Sequence, residues 1–284
     1  MRQTDPTPLD PVAKPARGLL HRTTSFEHFQ LTRFEPSEDL REAVEHHWMI
    51  LHDLGERPPY TQQNLSHPSQ HIVINPKGET GLFGAASGVF TYTLDGTGRV
   101  FGTKFRPGMF RPYFGRAVRA LTDRCLPVET VFEHTSAELA EDFAGLNDPL
   151  QMAERMEDLV RRKRVQPDAR AVQARTIVAA IEATPEVTSA AGIAERFGMT
   201  VRALQRLFEE YVGLSPKWVI DRYRMLEAVE TLNAGAEAGL TELAHRLGYF
   251  DQAAFNHAFE KLTGKPPSHY RDQSARPRGS TGSP

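Results

Sequence analysis

Between residues 34 and 122 the apolar positions come in short runs: His71-Ile72-Val73-Ile74, Gly88-Val89-Phe90-Thr91-Tyr92-Thr93-Leu94 and Val100-Phe101-Gly102-Thr103-Lys104-Phe105. Turn formers such as Asn75-Pro76-Lys77-Gly78 and Asp95-Gly96 bound them. Runs rich in β-branched and aromatic residues between such punctuation predict strands, and several in series predict a small sandwich or barrel. After Pro127 the period changes. Residues 136–143 and 149–160 read as two helices leading into the basic stretch Arg161-Arg162-Lys163-Arg164, with a linker at 165–167. Within 168–184, Ala174, Ile177, Val178 and Ile181 fall at i, i+3, i+4 and i+7, the stripe of an amphipathic helix that Pro185 stops. From there to Tyr270 the pattern is helical throughout.

The helical part repeats itself at an interval of about 50 residues. Ala194-Glu195-Arg196-Phe197-Gly198 and Ala244-His245-Arg246-Leu247-Gly248 share the pattern Ala-x-x-x-Gly, and each precedes a turn and a second helix. That helix starts from a capping Thr200 in the first unit and a capping Asp251 in the second. Leu204, Leu207, Phe208 and Tyr211 form one apolar stripe, and Phe255, Ala258, Phe259 and Leu262 form the other. This is the layout of a helix-turn-helix: the small alanine lets two helices approach, and the glycine accepts the left-handed backbone of a tight turn. Subtracting the first stripe leaves Arg202, Gln205, Arg206 and Glu209 facing outward. Arg and Gln are able to make bidentate contacts with guanine and adenine edges. Between the units, Gly213 ends one helix, Ser215 caps the next and Pro216 opens it. That helix, about 17 residues to Leu232, would be a strut of roughly 25 Å, against the roughly 34 Å of one DNA turn.

Residues 174–272 resemble the AraC/XylS family of bacterial regulators. The likeness is carried by Ile193-Ala194, Leu204-Gln205-Arg206-Leu207-Phe208, Gly213-Leu214-Ser215-Pro216, Leu243-Ala244 and Leu247-Gly248-Tyr249-Phe250-Asp251-Gln252. Phe255, Phe259, Gly264-Lys265-Pro266-Pro267 and Tyr270-Arg271 complete it. The resemblance implies that one subunit reads two adjacent major-groove segments, with Thr200, Arg202, Ala203, Gln205, Arg206, Gln252, Ala253, Asn256 and His257 as the DNA-binding residues. For Arg202 and Arg206 the repeat favours DNA contact over a solvated helix face. For Gln205, Gln252, Ala253, Asn256 and His257 both readings stand. His257 and Glu260 depart from the family pattern in the second unit and Gly192 departs in the first; the weaker base partners of the second helix point to the second unit as the weaker grip. Glu209, Glu210, Glu227 and Glu230 are expected to face away from phosphate.

The segments Phe34-Glu35-Pro36, Val44-Glu45-His46-His47-Trp48, His67-Pro68, His71-Ile72-Val73-Ile74-Asn75 and Phe105-Arg106-Pro107-Gly108 resemble the N-terminal domain of one subgroup of these regulators. This implies a cupin-like β structure serving effector sensing or dimerisation. His71 and Arg106 are the candidate effector-binding residues, although Arg106 reads more readily as a group that satisfies backbone carbonyls. Cupin enzymes hold a metal with a His-x-His pair. None occurs here, and the adjacent His46 and His47 point in different directions, so no metal is expected. Trp48 reads as core.

These elements add up to an α+β chain of two domains. The expected order is a flexible arm (1–23), a β-rich cupin-like barrel with trailing helices (24–164), an all-α domain of two helix-turn-helix units joined by a linker helix (168–272; units 189–211 and 240–262), and a disordered tail (273–284). Charge changes the picture only by a warning: 34 Lys and Arg against 36 Asp and Glu give a net charge of −2, so DNA attraction must be local. The single Cys125, expected as a buried thiol, excludes an intramolecular disulfide, and no apolar run is long enough to span a membrane. The N-terminus lacks the apolar core of a secretory signal. The expected function is a sequence-specific transcription regulator in the cytoplasm, at the nucleoid, and not an enzyme. Expected partners are operator or promoter double-stranded DNA, a small-molecule effector, RNA polymerase and a second copy of the chain, with no cofactor and no membrane. The alternatives are a constitutive DNA-binding protein whose N-terminal domain only dimerises, and a cupin-type metalloenzyme with a DNA-binding tail.

Overall fold

The structure is a computed structural model that describes residues 17–166, 168–234 and 239–274. Residues 1–16 of the expected arm, Pro167 of the linker and residues 275–284 of the expected tail lie outside the described residues. In chain order the elements are α1 (Arg22–Ser25), β1 (Gln30–Phe34), β2 (Val44–Asp53), β3 (Tyr60–Leu65), β4 (His71–Ile74), β5 (Gly81–Phe83), β6 (Val89–Leu94), β7 (Thr97–Phe105), α2 (Arg111–Phe114) and β8 (Cys125–Leu126). Then come α3 (Ser136–Gly145), α4 (Pro149–Arg162), α5 (Ala169–Ala183), α6 (Ala190–Arg196), α7 (Val201–Tyr211), α8 (Pro216–Asn233), α9 (Leu240–Arg246), α10 (Gln252–Thr263) and α11 (Pro267–Ser274). No described helix is long and apolar enough to cross a membrane.

Alternation along β7 places Phe101 and Phe105 on one face, where they join Met49, Ile72 and Ile74 and pack against Phe143 of α3 and Met152 and Leu159 of α4. On the opposite face Lys104 and Gly102 follow the same period. Gly102 stands across from Trp48 in the antiparallel register of β2 and β7, and a Cβ there would come within 2.3 Å of the indole, so the half-buried ring needs a glycine partner. Leu19, Phe29, Leu54 and Leu94, with Leu31, Ile50, Tyr60 and Tyr92 packed against them, fill a smaller core that joins the main sheet to the β3–β6 pair.

The expected closed barrel is corrected here. Six strands form one sheet in the order β1-β2-β7-β4-β5-β8, while β3 and β6 form a separate two-stranded sheet. β8 has only two residues and β1 is the other edge, so among the described residues the main sheet stays open. Residues 17–23, expected as arm, belong to the fold: Leu20 is buried, and Arg17 pairs with Glu182 at 3.2 Å and Glu227 at 3.0 Å. Cys125 is half-buried, not fully buried, and burial still pushes its thiol up to about 12.

The helical half has its own core, and that core takes in Leu20, Leu65 and Ala85 from the β-rich half. Helix α8 explains the sharing. Val219, Ile220, Leu226, Ala228 and Val229 are all at most 1% exposed, so the helix buries apolar side chains in several directions and leaves only a strip with Lys217, Asp221 and Glu227 to solvent.

Candidate nucleic-acid interface

Each outward-facing helix is positioned by its own cap. Thr200 accepts a hydrogen bond from the Ala203 N–H at 3.1 Å to start α7, and Asp251 accepts one from the Ala254 N–H at 2.7 Å to start α10. Caps of this kind contribute about 1 kcal/mol each. Gly198 and Gly248, at φ 61° and 72°, turn the chain between the paired helices in the left-handed region. Ala194 and Ala244 are buried where those helices meet.

With Leu204, Leu207, Phe208 and Tyr211 buried, α7 presents Arg202, Gln205 and Arg206 exposed and Ala203 half-buried. On α10, Phe255 and Phe259 are buried, Ala253 and His257 are exposed, and Asn256 is half-buried. Gln252 is less available than its position suggests, because its Oε1 accepts a hydrogen bond from the Thr241 hydroxyl at 2.6 Å. Thr200 likewise has its hydroxyl oxygen committed to the cap. The free donors capable of reading base edges are therefore concentrated on α7.

Four of this domain's acidic residues find a specific explanation. Glu209 pairs with Arg119 at 2.8 Å, Glu210 with Arg111 at 3.3 Å, Glu227 with Arg17, and Glu230 with Arg22. All four arginines come from the β-rich half or the segment leading into it, so these four acids are compensated from outside the helical half, with Arg170 of α5 joining at Glu210 at 3.2 Å. A concave groove of about 490 Å³ runs beside α7, lined by Arg119, Arg202, Gln205, Arg206 and Glu209. Sequence reasoning missed Arg119, which lies in a 3-10 turn (Val118–Leu121) with no local signal of its destination.

The two units and the β-rich half all attach to α8. Ser215 caps it through the Trp218 N–H at 3.2 Å. Arg224 reaches the second unit, donating to the Leu247 carbonyl and lying 4.2 Å from the Tyr249 ring. Arg222 reaches the other way and donates to the Ser87 and Gly88 carbonyls at 2.9 and 3.0 Å; burial lowers its pKa to about 10. The C-terminal end of α7 is tied to the β-rich half by Gln70 Nε2 donating to the Val212 carbonyl and Thr122 Oγ1 donating to the Gly213 carbonyl.

The candidate effector residues are placed apart in function. His71 accepts a hydrogen bond from Trp48 Nε1 at 3.2 Å, and burial, with Lys104 nearby, lowers it to about 3 and keeps it neutral. Around it stand His46 and the Lys104–Glu45 pair at 2.9 Å. Arg106 donates through Nε to the Arg41 carbonyl at 2.8 Å, and no hydrogen bond or ion pair among the described residues joins it to His71. His47 has a structural post, held at 2.8 Å from Thr103 and 3.2 Å from Glu157.

Two similar units, each presenting a capped helix outward, define a two-headed helix-turn-helix domain. Residues 193–273 match a family described as a helix-turn-helix domain, and residues 32–127 match a domain of unknown function (DUF6597). The HTH-type transcriptional activator RhaS of Pectobacterium atrosepticum is 30% identical over 83 residues, 29% of this chain and 29% of its own length. The HTH-type transcriptional regulator AlkR of Acinetobacter baylyi is 30% identical over 98 residues, covering 34% of this chain and 32% of its own. Among solved structures, the C-terminal domain of AraT, a response regulator from Geobacillus stearothermophilus, is 26% identical with a TM-score of 0.34, covering 38% of this chain and 89% of that one. The C-terminal domain of this chain is thus similar to the helix-turn-helix domains of these transcriptional regulators. The chain spans about a third or less of the length of these two curated relatives.

Proposed function

We propose that the chain is a sequence-specific transcription regulator, not an enzyme, in which α7 is the principal reading helix and α10 the weaker one. The observation that carries this is the exposed row Arg202, Gln205 and Arg206 on α7, set against Ala253, Asn256 and His257 on α10, both anchored to α8. Arginine and glutamine supply the bidentate donors that distinguish base pairs in the major groove. Phosphate contacts would come from the local basic rim that includes Arg119, which a net charge of −2 would otherwise not supply.

The reading extends to the β-rich half as an open relative of the cupin fold that senses a small effector on the sheet face carrying His71 and Lys104. A ligand disturbing the Lys104–Glu45 pair lies on the sheet whose neighbouring segments grip α7 and α8, which gives sensing a route to the reading helix. Homodimerisation, contact with RNA polymerase and residence at the nucleoid belong to the same proposal. The test is selection of duplexes from a randomised pool by the full chain, then thermal-shift screening of metabolites with the parent and Lys104→Met. A preferred sequence and a ligand shift lost in Lys104→Met support the reading. A preferred sequence with no ligand shift would favour a constitutive binder, and no sequence preference would overturn the proposal.

A further inference from the structure

The two turns differ by one residue. In the first unit Gly198 is followed by Met199 and then the cap Thr200; in the second, Gly248 is followed by Tyr249, Phe250 and then the cap Asp251. Backbone geometry identifies the extra residue. Met199 N–H donates to the Ala194 carbonyl at 2.8 Å and Tyr249 N–H to the Ala244 carbonyl at 2.9 Å, so Tyr249 occupies the place of Met199. Tyr249 also does the inward packing, 5.5 Å from the Phe255 ring and beneath Arg224. Phe250 is left over, and it is 90% exposed where no other large hydrophobic side chain among the described residues exceeds 46%.

Single exposed apolar residues are common and by themselves carry no meaning. Phe250 differs in its location. It adjoins the N-terminal end of α10, the end of a recognition helix that enters the groove, and the exposed side chains that follow it are the capping Asp251, then Ala253 and Ala254. Position for position, α7 has Arg202 where α10 has Ala253. The second head thus offers methyl groups and a ring where the first offers a guanidinium.

The 5-methyl of thymine is the apolar group that base edges display in the major groove, and alanine and phenylalanine are suited to touch it. We infer that the second unit reads its half-site by apolar contact with thymine methyl groups, with Phe250 as the leading contact and Ala253 and Ala254 beside it. This rests on the C-terminal domain reading DNA as proposed above.

The test uses the full chain and a duplex that it selects from a randomised pool. Each thymine of the second half-site is replaced in turn by uracil, which removes the methyl group and nothing else. The expected result is a loss of affinity of about fourfold at one or two positions, the size associated with burying one methyl group. That loss should disappear in Phe250→Ala and persist in Phe250→Leu, and the high exposure of Phe250 lets both variants fold. If no uracil form binds more weakly than the selected duplex, or Phe250→Ala keeps the parent's uracil sensitivity, the inference is overturned while DNA reading stands. A pool that yields no preferred sequence would overturn the DNA reading, and the inference with it.

Discussion

The carboxylate of Glu209, on the outward face of α7, accepts a hydrogen bond at 2.8 Å from the guanidinium of Arg119, which the β-rich domain supplies. Both side chains are more than half exposed, so the pair contributes little to folding. Its effect is on the field beside Arg202 and Arg206. Arg119→Ala should leave the melting temperature within about a degree or two and weaken DNA binding, with a salt slope shallower by up to about one phosphate equivalent. A binding isotherm repeated across salt concentrations checks this. An unchanged slope would remove Arg119 from the interface.

The two heads should respond unequally. Arg206→Ala is expected to cost about 1–3 kcal/mol and to relax preference at one position of the selected site. His257→Arg should instead tighten binding to selected and random duplexes alike, because a permanent cation adds a phosphate contact without a base contact. Competition assays with both duplexes decide. Should His257→Ala abolish discrimination while Arg206→Ala preserves it, the ranking of the heads is reversed.

Stability should fall at acid pH through one buried carboxylate. Burial opposes the charge of Glu157, yet hydrogen bonds from His47 and from Ser37 outweigh it and hold the group at about 2, while Arg161 lies 2.9 Å away. A folded value below the unfolded one means the stabilisation is complete above about pH 4.5 and is lost as pH falls toward 2. It amounts to roughly 3 kcal/mol in the fully ionised form. Glu157→Gln should therefore lower stability at pH 7 and flatten the dependence between pH 4.5 and 2, measured by urea denaturation at several pH values. A parallel loss in parent and variant across that window would exclude Glu157 as its source.

Gly213 ends α7 at φ +90°, with its N–H donating to the Phe208 carbonyl at 2.8 Å. A Cβ there would meet Thr122 Oγ1 at 2.8 Å and the Val118 carbonyl oxygen at 3.2 Å. Gly213→Ala should thus destabilise the chain by about 1–3 kcal/mol, from backbone strain together with a wedge between the domains. Gly264, at φ +77° with open space around it, provides the comparison: Gly264→Ala carries the backbone cost alone. Equal losses in the two variants would show that the interface does not press on Gly213.

Local chemistry made much of this protein legible from sequence alone. Thr200, Asp251 and Ser215 cap helices because their short polar side chains reach backbone N–H groups a few residues on, and the stripe of Leu204, Leu207, Phe208 and Tyr211 assigned the outward face by subtraction. Such signals act within one or two turns of helix. Tertiary structure alone decided where long side chains find partners from distant parts of the chain. Glu209, Glu210, Glu227 and Glu230 meet Arg119, Arg111, Arg17 and Arg22 across separations of 90 to 210 residues, and Arg106 turns to the Arg41 carbonyl. The expected barrel failed for the same reason. Strand periodicity specifies which face is apolar, whereas closure depends on which edges meet, and the two-residue β8 leaves an edge that nothing local announces. Phe250 falls between the two cases: comparing the turns shows an extra residue, but only the packing of Tyr249 into its place reveals which ring is left in solvent.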